Sequence, residues 1–131
     1  MKKTIITAML SLFMLGVSAQ NQKKEMKQLD TTDHYTFQLS DKVTRQKVTF
    51  KNRFGITLTG DLYIPKNSGT ASLAAIAISG PYGAVKEQSS GLYANQLAQR
   101  GFITLAFDPS YTGESGGEPR NISSPDINTE D

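Results

Sequence analysis

Two uninterrupted apolar runs constrain this chain most. "LAAIAISG" at residues 73–80 and "FITLAFD" at 102–108 show no alternation of polar and apolar side chains. A strand that is apolar on both sides must be covered on both faces, as parallel strands are when helices flank a sheet. Between the two runs lies "SSGLYANQLAQRG". It reads as a helix with Leu92, Leu97 and Ala98 on one side and Asn95, Gln96, Gln99 and Arg100 largely on the other. Ser89 or Ser90 is available to cap its start, and Gly101 to close its end with Phe102 packing back. Strand, helix and strand in this order predict a right-handed βαβ unit with parallel strands.

The stretch before this unit has a different period. "VTRQKVTFKN" alternates through Val48 and Phe50, and "ITLTGDLYIP" through Ile56, Leu58, Leu62 and Ile64. Both are rich in β-branched residues and are joined by "NRFG", where Gly55 can take a positive φ. A β-hairpin is expected, ended by Pro65, with "KNSGTAS" as a solvent loop. Hairpin followed by βαβ places the chain in the α/β class. Residues 109–131, "PSYTGESGGEPRNISSPDINTED", have no hydrophobic periodicity. Near their end Ser124-Pro125-Asp126 carries the signs of a helix start: a cap, a proline in the first turn and an acid favoured by the dipole.

The N-terminus reads as an export signal. Lys2 and Lys3 precede an apolar stretch from Ile5 to Val17, and Val17-Ser18-Ala19 supplies small residues at a cleavage site. Residues 1–19 are therefore expected to be a signal peptide, too short for a stable membrane span; the alternative is an anchor that stays uncleaved. Taking Lys2 and Lys3 from the 14 basic residues balances the rest against 12 acidic ones. A near-neutral exported chain gives no reason to expect nucleic acid as a partner. With no cysteine, disulfides, zinc–thiolate sites and a cysteine nucleophile are excluded. The single histidine, His34, lies in a polar stretch, residues 20–42, read as a linker. It is expected to be solvated there rather than a general base. One histidine and no carboxylates at ligand spacing give no basis for a metal or other cofactor.

Gly113-Glu114-Ser115-Gly116-Gly117 fits the G-x-S-x-G signature of a serine nucleophile. That signature works only where the serine sits on a tight turn between a strand and a helix, with the helix N-terminus behind the oxyanion. Here "PSYTG" separates Ser115 from the preceding strand, and "GGEPR" follows it. Neither half of the context is present, so Ser115 is expected to be a loop residue, and no catalytic residue is assigned. The Gly-rich loop after Asp108 is expected to shape the rim of a pocket at the C-terminal end of a parallel strand.

Taken together, the hairpin, the buried strand, "GPYGAVKEQSSGLYANQLAQRGF" and "ITLAFDPSYTGESGG" resemble the N-terminal portion of an α/β-hydrolase. The similarity is greatest to dienelactone-hydrolase-like proteins and to esterases and peptidases related to X-Pro dipeptidyl-peptidases. It covers residues 43–131. In that family the loop after the fourth strand often reads Asp-x-Arg-Gly-x-Gly-x-Ser; Asp108, Gly113 and Ser115 match, and the Arg and first Gly do not. The resemblance implies a strand order of first, second, fourth, third in an incomplete hydrolase sheet. It implies that Tyr82 and Gly83 build an oxyanion hole, Tyr82 through its main-chain N–H or its phenol and Gly83 by admitting the substrate carbonyl. A turn that simply contains a tyrosine is the alternative. Lys86 and Glu87 are expected to be a solvated start to the helix.

By this resemblance the chain is expected to be an N-terminal fragment of a secreted serine-type hydrolase for ester or amide bonds. The nucleophile, acid and histidine would lie elsewhere, and the substrate would be a small-molecule or peptide acyl compound. A non-catalytic exported binding module and an autonomous hydrolase using Ser115 are the competing possibilities. The apolar strand at 73–79 would form an open sheet edge through which chains could self-associate.

Overall fold

A computed structural model describes residues 34–69 and 72–131, and residues 34–131 form one compact unit. The leader expected over residues 1–19, and residues 20–33 of the expected linker, lie outside the described residues. The first two strands, β1 (Val43–Lys51) and β2 (Thr57–Pro65), pair antiparallel in the expected hairpin. Gly55 takes φ +79° in the turn, and the Asn52 side-chain carbonyl accepts from the N–H groups of Phe54 and Ile56, both at 3.0 Å. Strand β3 (Ala75–Ser79), helix α1 (Ser89–Ala98) and strand β4 (Ile103–Phe107) then form the βαβ unit, with β3 and β4 parallel. The order is β1-β2-β4-β3, as expected, with β2 and β4 antiparallel. A short helix, α2 (Pro125–Asn128), starts where the sequence announces it, with Pro125 and Asp126 in its first turn; Ser124 holds the N-cap position but its side chain makes no capping bond.

The register divides the sheet into two faces. One carries Tyr63, Ala106 and Ile78 and packs with Val43, Ala94 and Ala98 as the core. The alternating apolar residues Leu58 and Leu62 of β2, with Leu105 and Phe107 of β4, lie on the other. There Phe50 and Phe107 meet edge to face at 5.9 Å, a geometry that aromatic quadrupoles favour. The polar positions of β2 are thus turned toward the helix, and both Thr59 and Asp61 are buried.

Three expectations need correction. Strand β3, expected to be covered on both faces, alternates exposed and half-buried residues and has none fully buried, because it stands at the edge of the sheet with β4 as its paired neighbour. Helix α1 buries Ser90, Gly91, Ala94, Asn95 and Ala98, while Leu92 and Tyr93 are exposed. This stripe of small residues lets the helix lie close to the sheet; larger side chains would hold it away. Asn95 is tolerated inside because its amide is satisfied: it donates to Gln38 O at 3.1 Å and accepts from Ser40 N at 3.2 Å. Nor does Ser89 or Ser90 cap the helix: Gln88 holds the N-cap position without a side-chain capping bond, and the Ser90 hydroxyl is buried with no hydrogen-bond partner among the described residues.

The same Asn95 bonds show that residues 35–40, read as linker, are docked on the core. Phe37 and Leu39 pack against the central cluster, and the Phe37 ring occupies the space a side chain on Gly91 would need. Thr36 N donates to Glu87 O at 3.0 Å, and the Tyr35 hydroxyl to Asp61 at 2.6 Å. Low hydropathy hid this docking, because many of its contacts are hydrogen bonds. Replacing Asn95 by Ala removes the partner of the Gln38 carbonyl and of the Ser40 N–H at once. We expect it to lower the unfolding free energy by about 1–3 kcal/mol, measured by denaturant titration, with the spectrum of the folded state retained.

Candidate functional site

The C-terminal ends of β3 and β4 carry the two loops that surround a cavity of about 180 Å³. Gly80, Pro81, Tyr82, Gly83 and Ala84 form one wall, Pro109 and Thr112 another, and Ile122, Ser123 and Asn128 the third. None of these side chains is charged. Tyr82 stands out at 78% exposure. Gly83 has φ +79°, in the left-handed region where glycine is unstrained. A hydrogen bond from Ala84 N to Pro81 O closes the turn at 3.0 Å. Among the described residues, no acceptor serves the main-chain N–H of Tyr82 or Gly83. Both candidate residues named from the sequence therefore lie together on one exposed turn.

Beside the cavity is a cluster of charges. Lys86 has a fully buried side chain. Its ammonium donates to Asp108 at 3.0 Å and Glu87 at 2.5 Å and pairs with Glu114 at 2.7 Å. Its main-chain N–H also donates to Asp108, at 2.7 Å. This overturns the expectation of a solvated Lys86. Burial alone would depress the lysine pKa, but the carboxylates of Glu114, Glu87 and Asp108 outweigh it and raise the value. Glu114 also binds Lys47 at 2.7 Å, and Lys47 and then Lys86 hold its carboxyl down at about 2. The sequence did hold a signal for this pairing: Lys86 is the lone cation between Lys66 and Arg100, and Asp108 is an acid ending a buried strand.

Next to the cluster, Asp61 is buried with Tyr35 as its hydrogen-bond donor, and Arg45 stacks over the Tyr35 ring at 3.3 Å. Burial pushes the Asp61 carboxyl up, against the lowering effects of Tyr35, Lys86 and Arg45. Burial and the adjacent Asp61 raise the Tyr35 phenol in turn.

The loop after β4 is organised around Asp108. Its Oδ2 also accepts Glu114 N at 3.0 Å. A side chain at Gly113, where φ is +55°, would collide with that carboxylate. Ser115 is 2% exposed. Its hydroxyl donates to Asp108 O at 2.6 Å and accepts Thr59 N at 2.9 Å, so both functions of the oxygen are committed to the main chain. Arg120 donates to the carbonyls of Gly113, Ser115 and Gly117, closing the loop over Ser115. On the far side, Asp131 accepts from Ser110 N at 2.7 Å, Ser110 Oγ at 2.6 Å, Asn52 at 2.9 Å and Asn128 at 3.0 Å. Burial would raise the Asp131 carboxyl, yet these donors hold it low. Among the described residues no group of three or more His, Cys, Asp or Glu is placed to hold a metal, and no helix is long and apolar enough to cross a membrane.

Comparison with known proteins gives this arrangement a context. No family profile matches the chain. It is 69% identical over 106 residues to the uncharacterized protein PA2218 of Pseudomonas aeruginosa, covering 79% of this chain and 29% of the relative. It is 50% identical over 88 residues to YcjY of Escherichia coli K12, covering 65% and 29%. A thiohydrolase of Eupenicillium brefeldianum matches at 34% identity over 77 residues, covering 59% and 24%. The crystal structure of PA2218 superposes with a TM-score of 0.72 at 71% identity, covering 74% of this chain and 30% of that one. The α/β hydrolase GrgF from a Penicillium species superposes with a TM-score of 0.50 at 31% identity, covering 60% and 26%. The chain thus spans less than a third of the relatives it matches. Its mixed four-stranded sheet corresponds to part of the α/β-hydrolase fold.

Two measurements follow from the loop chemistry. Ser115→Ala leaves a buried carbonyl and a buried N–H without their partner. We expect it to cost about 1–3 kcal/mol of stability in a denaturant titration. Glu114 binds its proton more weakly folded than unfolded, so its contribution is present above the ordinary glutamate range and lost as pH falls toward about 2. Stability should therefore decline on acidification from about pH 5 to about pH 2, with a shallower slope in Glu114→Gln; an unchanged slope would remove Glu114 from the account.

Proposed function

We propose that this chain supplies the oxyanion-stabilising turn of a serine-type α/β-hydrolase acting on ester or amide bonds of a small-molecule or peptide acyl substrate. The observation that carries this is the turn at Pro81–Gly83. It leaves two adjacent main-chain N–H groups without an acceptor among the described residues, at the rim of an uncharged cavity. Donors fixed in this way stabilise charge as it develops on a carbonyl oxygen, and losing one costs about 10²–10³-fold in kcat. Gly83 has no side chain to block the approach of that carbonyl. The named hydrolases among the relatives and structural neighbours favour the same chemistry. A dienelactone-hydrolase-like or X-Pro dipeptidyl-peptidase-like subgroup, and export through residues 1–19, belong to this proposal.

Within residues 34–131 the one serine with a matching motif has its hydroxyl fully engaged. The nucleophile is therefore proposed to come from polypeptide outside this range. Where nothing pairs with the outer edge of β3, that edge is the surface through which copies would self-associate.

The test uses the protein made from its complete reading frame, assayed with p-nitrophenyl acetate and a fluorophosphonate probe whose adduct is mapped by mass spectrometry. Tyr82→Pro removes one N–H, and Tyr82→Phe removes only the hydroxyl. We expect Tyr82→Pro to lower kcat by about 10²–10³-fold with the fold retained, and Tyr82→Phe to separate the phenol's share. An adduct on Ser115, or full activity in a folded Tyr82→Pro variant, would overturn the assignment.

A further inference from the structure

The turn at Pro81–Gly83 and the loop across the cavity are not joined directly. Among the described residues no hydrogen bond runs from residues 80–84 to residues 109–113. Their separation is set just behind each wall, where Lys86 meets Asp108 and Glu114. Lys86 follows Ala84 by two residues, Asp108 immediately precedes Pro109, and Glu114 follows Thr112 by two. One oxygen of Asp108 accepts the Lys86 main-chain N–H, and the other accepts the Lys86 ammonium and the Glu114 main-chain N–H. The ammonium also reaches the Glu114 carboxylate. Both loops are thus bound to the same two side chains, within two residues of the cavity lining.

We infer that Lys86 is a positioning residue for the oxyanion-stabilising turn: it ties that turn to the loop after β4, and the inference rests on the reading of the turn given above. Lys86 touches no substrate. Its part is to fix where the Tyr82 and Gly83 N–H groups point. Such donors act only when held in place before the charge develops, and a misplacement of about 1 Å can cost about 100-fold in rate. A lysine suits the task because three carboxylates converge on one compact cation, whereas an apolar residue would leave Asp108 buried without a counter-charge.

The experiment compares wild type, Lys86→Met and Glu114→Gln in the full-length protein by two readouts. Deuterium exchange is followed in peptides covering residues 80–88 and 108–117, with α1 and β1–β2 as internal references. Hydrolysis of p-nitrophenyl acetate gives kcat and KM separately. Lys86→Met should speed exchange in both loops by about tenfold or more while the references stay protected, and should lower kcat by about 10–100-fold with KM little changed. Glu114→Gln keeps Lys86 paired with Asp108 and Glu87, so it should move both readouts the same way but less; it decides the matter if Lys86→Met does not fold. Unchanged loop exchange, or protection lost evenly through β1 and β2, overturns the inference. An active wild type with unaltered kcat in Lys86→Met also overturns it while leaving the turn's role intact. A wild type without esterase activity whose variants still loosen both loops instead defeats the functional reading and upholds the tie.

Discussion

The pairing of Lys86 with Asp108 is the interaction on which the upper part of this structure depends. Two charges withdrawn from water repay their desolvation only when the geometry is good and the remaining lone pairs are used. Both conditions hold. Asp108 takes three donors on its two oxygens, and Lys86 directs its ammonium at three carboxylates. Because Asp108 ends a buried strand, its carboxylate is fixed by the sheet, and the loops must arrange themselves around it.

That requirement explains why the loop after β4 looks catalytic and is not built as a nucleophile. Gly113 is present because a side chain there would strike the Asp108 carboxylate. Ser115 is present because a small hydroxyl bridges Asp108 O and Thr59 N. Gly117, at φ +102°, makes room for the Tyr111 ring. Glycine, serine and glycine thus recur at the spacing of an esterase signature for reasons of packing. The sequence revealed this by context, since neither strand nor helix abuts Ser115, but it could not reveal what the residues were doing instead.

Legibility followed the range of the interaction. The hairpin, the two apolar strands, their parallel pairing and the strand order could be read because local periodicity and turn residues encode them; that β3 would lie half-exposed at the sheet edge could not. The turn at Tyr82 and Gly83 could be located because it follows an apolar parallel strand at the end where α/β sheets place their sites. The inward face of α1 could not. Leu92 and Tyr93 dominate any hydrophobicity average, yet close approach to the sheet selects Gly91, Ala94 and Ala98, and Asn95 is drawn in by partners in residues 38–40. Lys86 misled for the same reason. Two of its three carboxylate partners, Asp108 and Glu114, lie 22 or more positions away, and a charged side chain taken alone reads as surface.

Asn52 carries a different kind of consequence. Its amide joins the tip of the hairpin to Asp131 across 79 positions, a far longer reach than any bond within the sheet's turns. A contact of that separation requires a large loop to close and is entropically expensive to form early. During synthesis the hairpin leaves the ribosome long before its distal partner exists. The Asn52 side-chain carbonyl is engaged at once inside the hairpin by the N–H groups of Phe54 and Ile56, whereas its NH2 group waits for Ser110 and Asp131, so the same side chain first shapes a turn and only later clasps a distant loop, after the sheet beneath has already been laid.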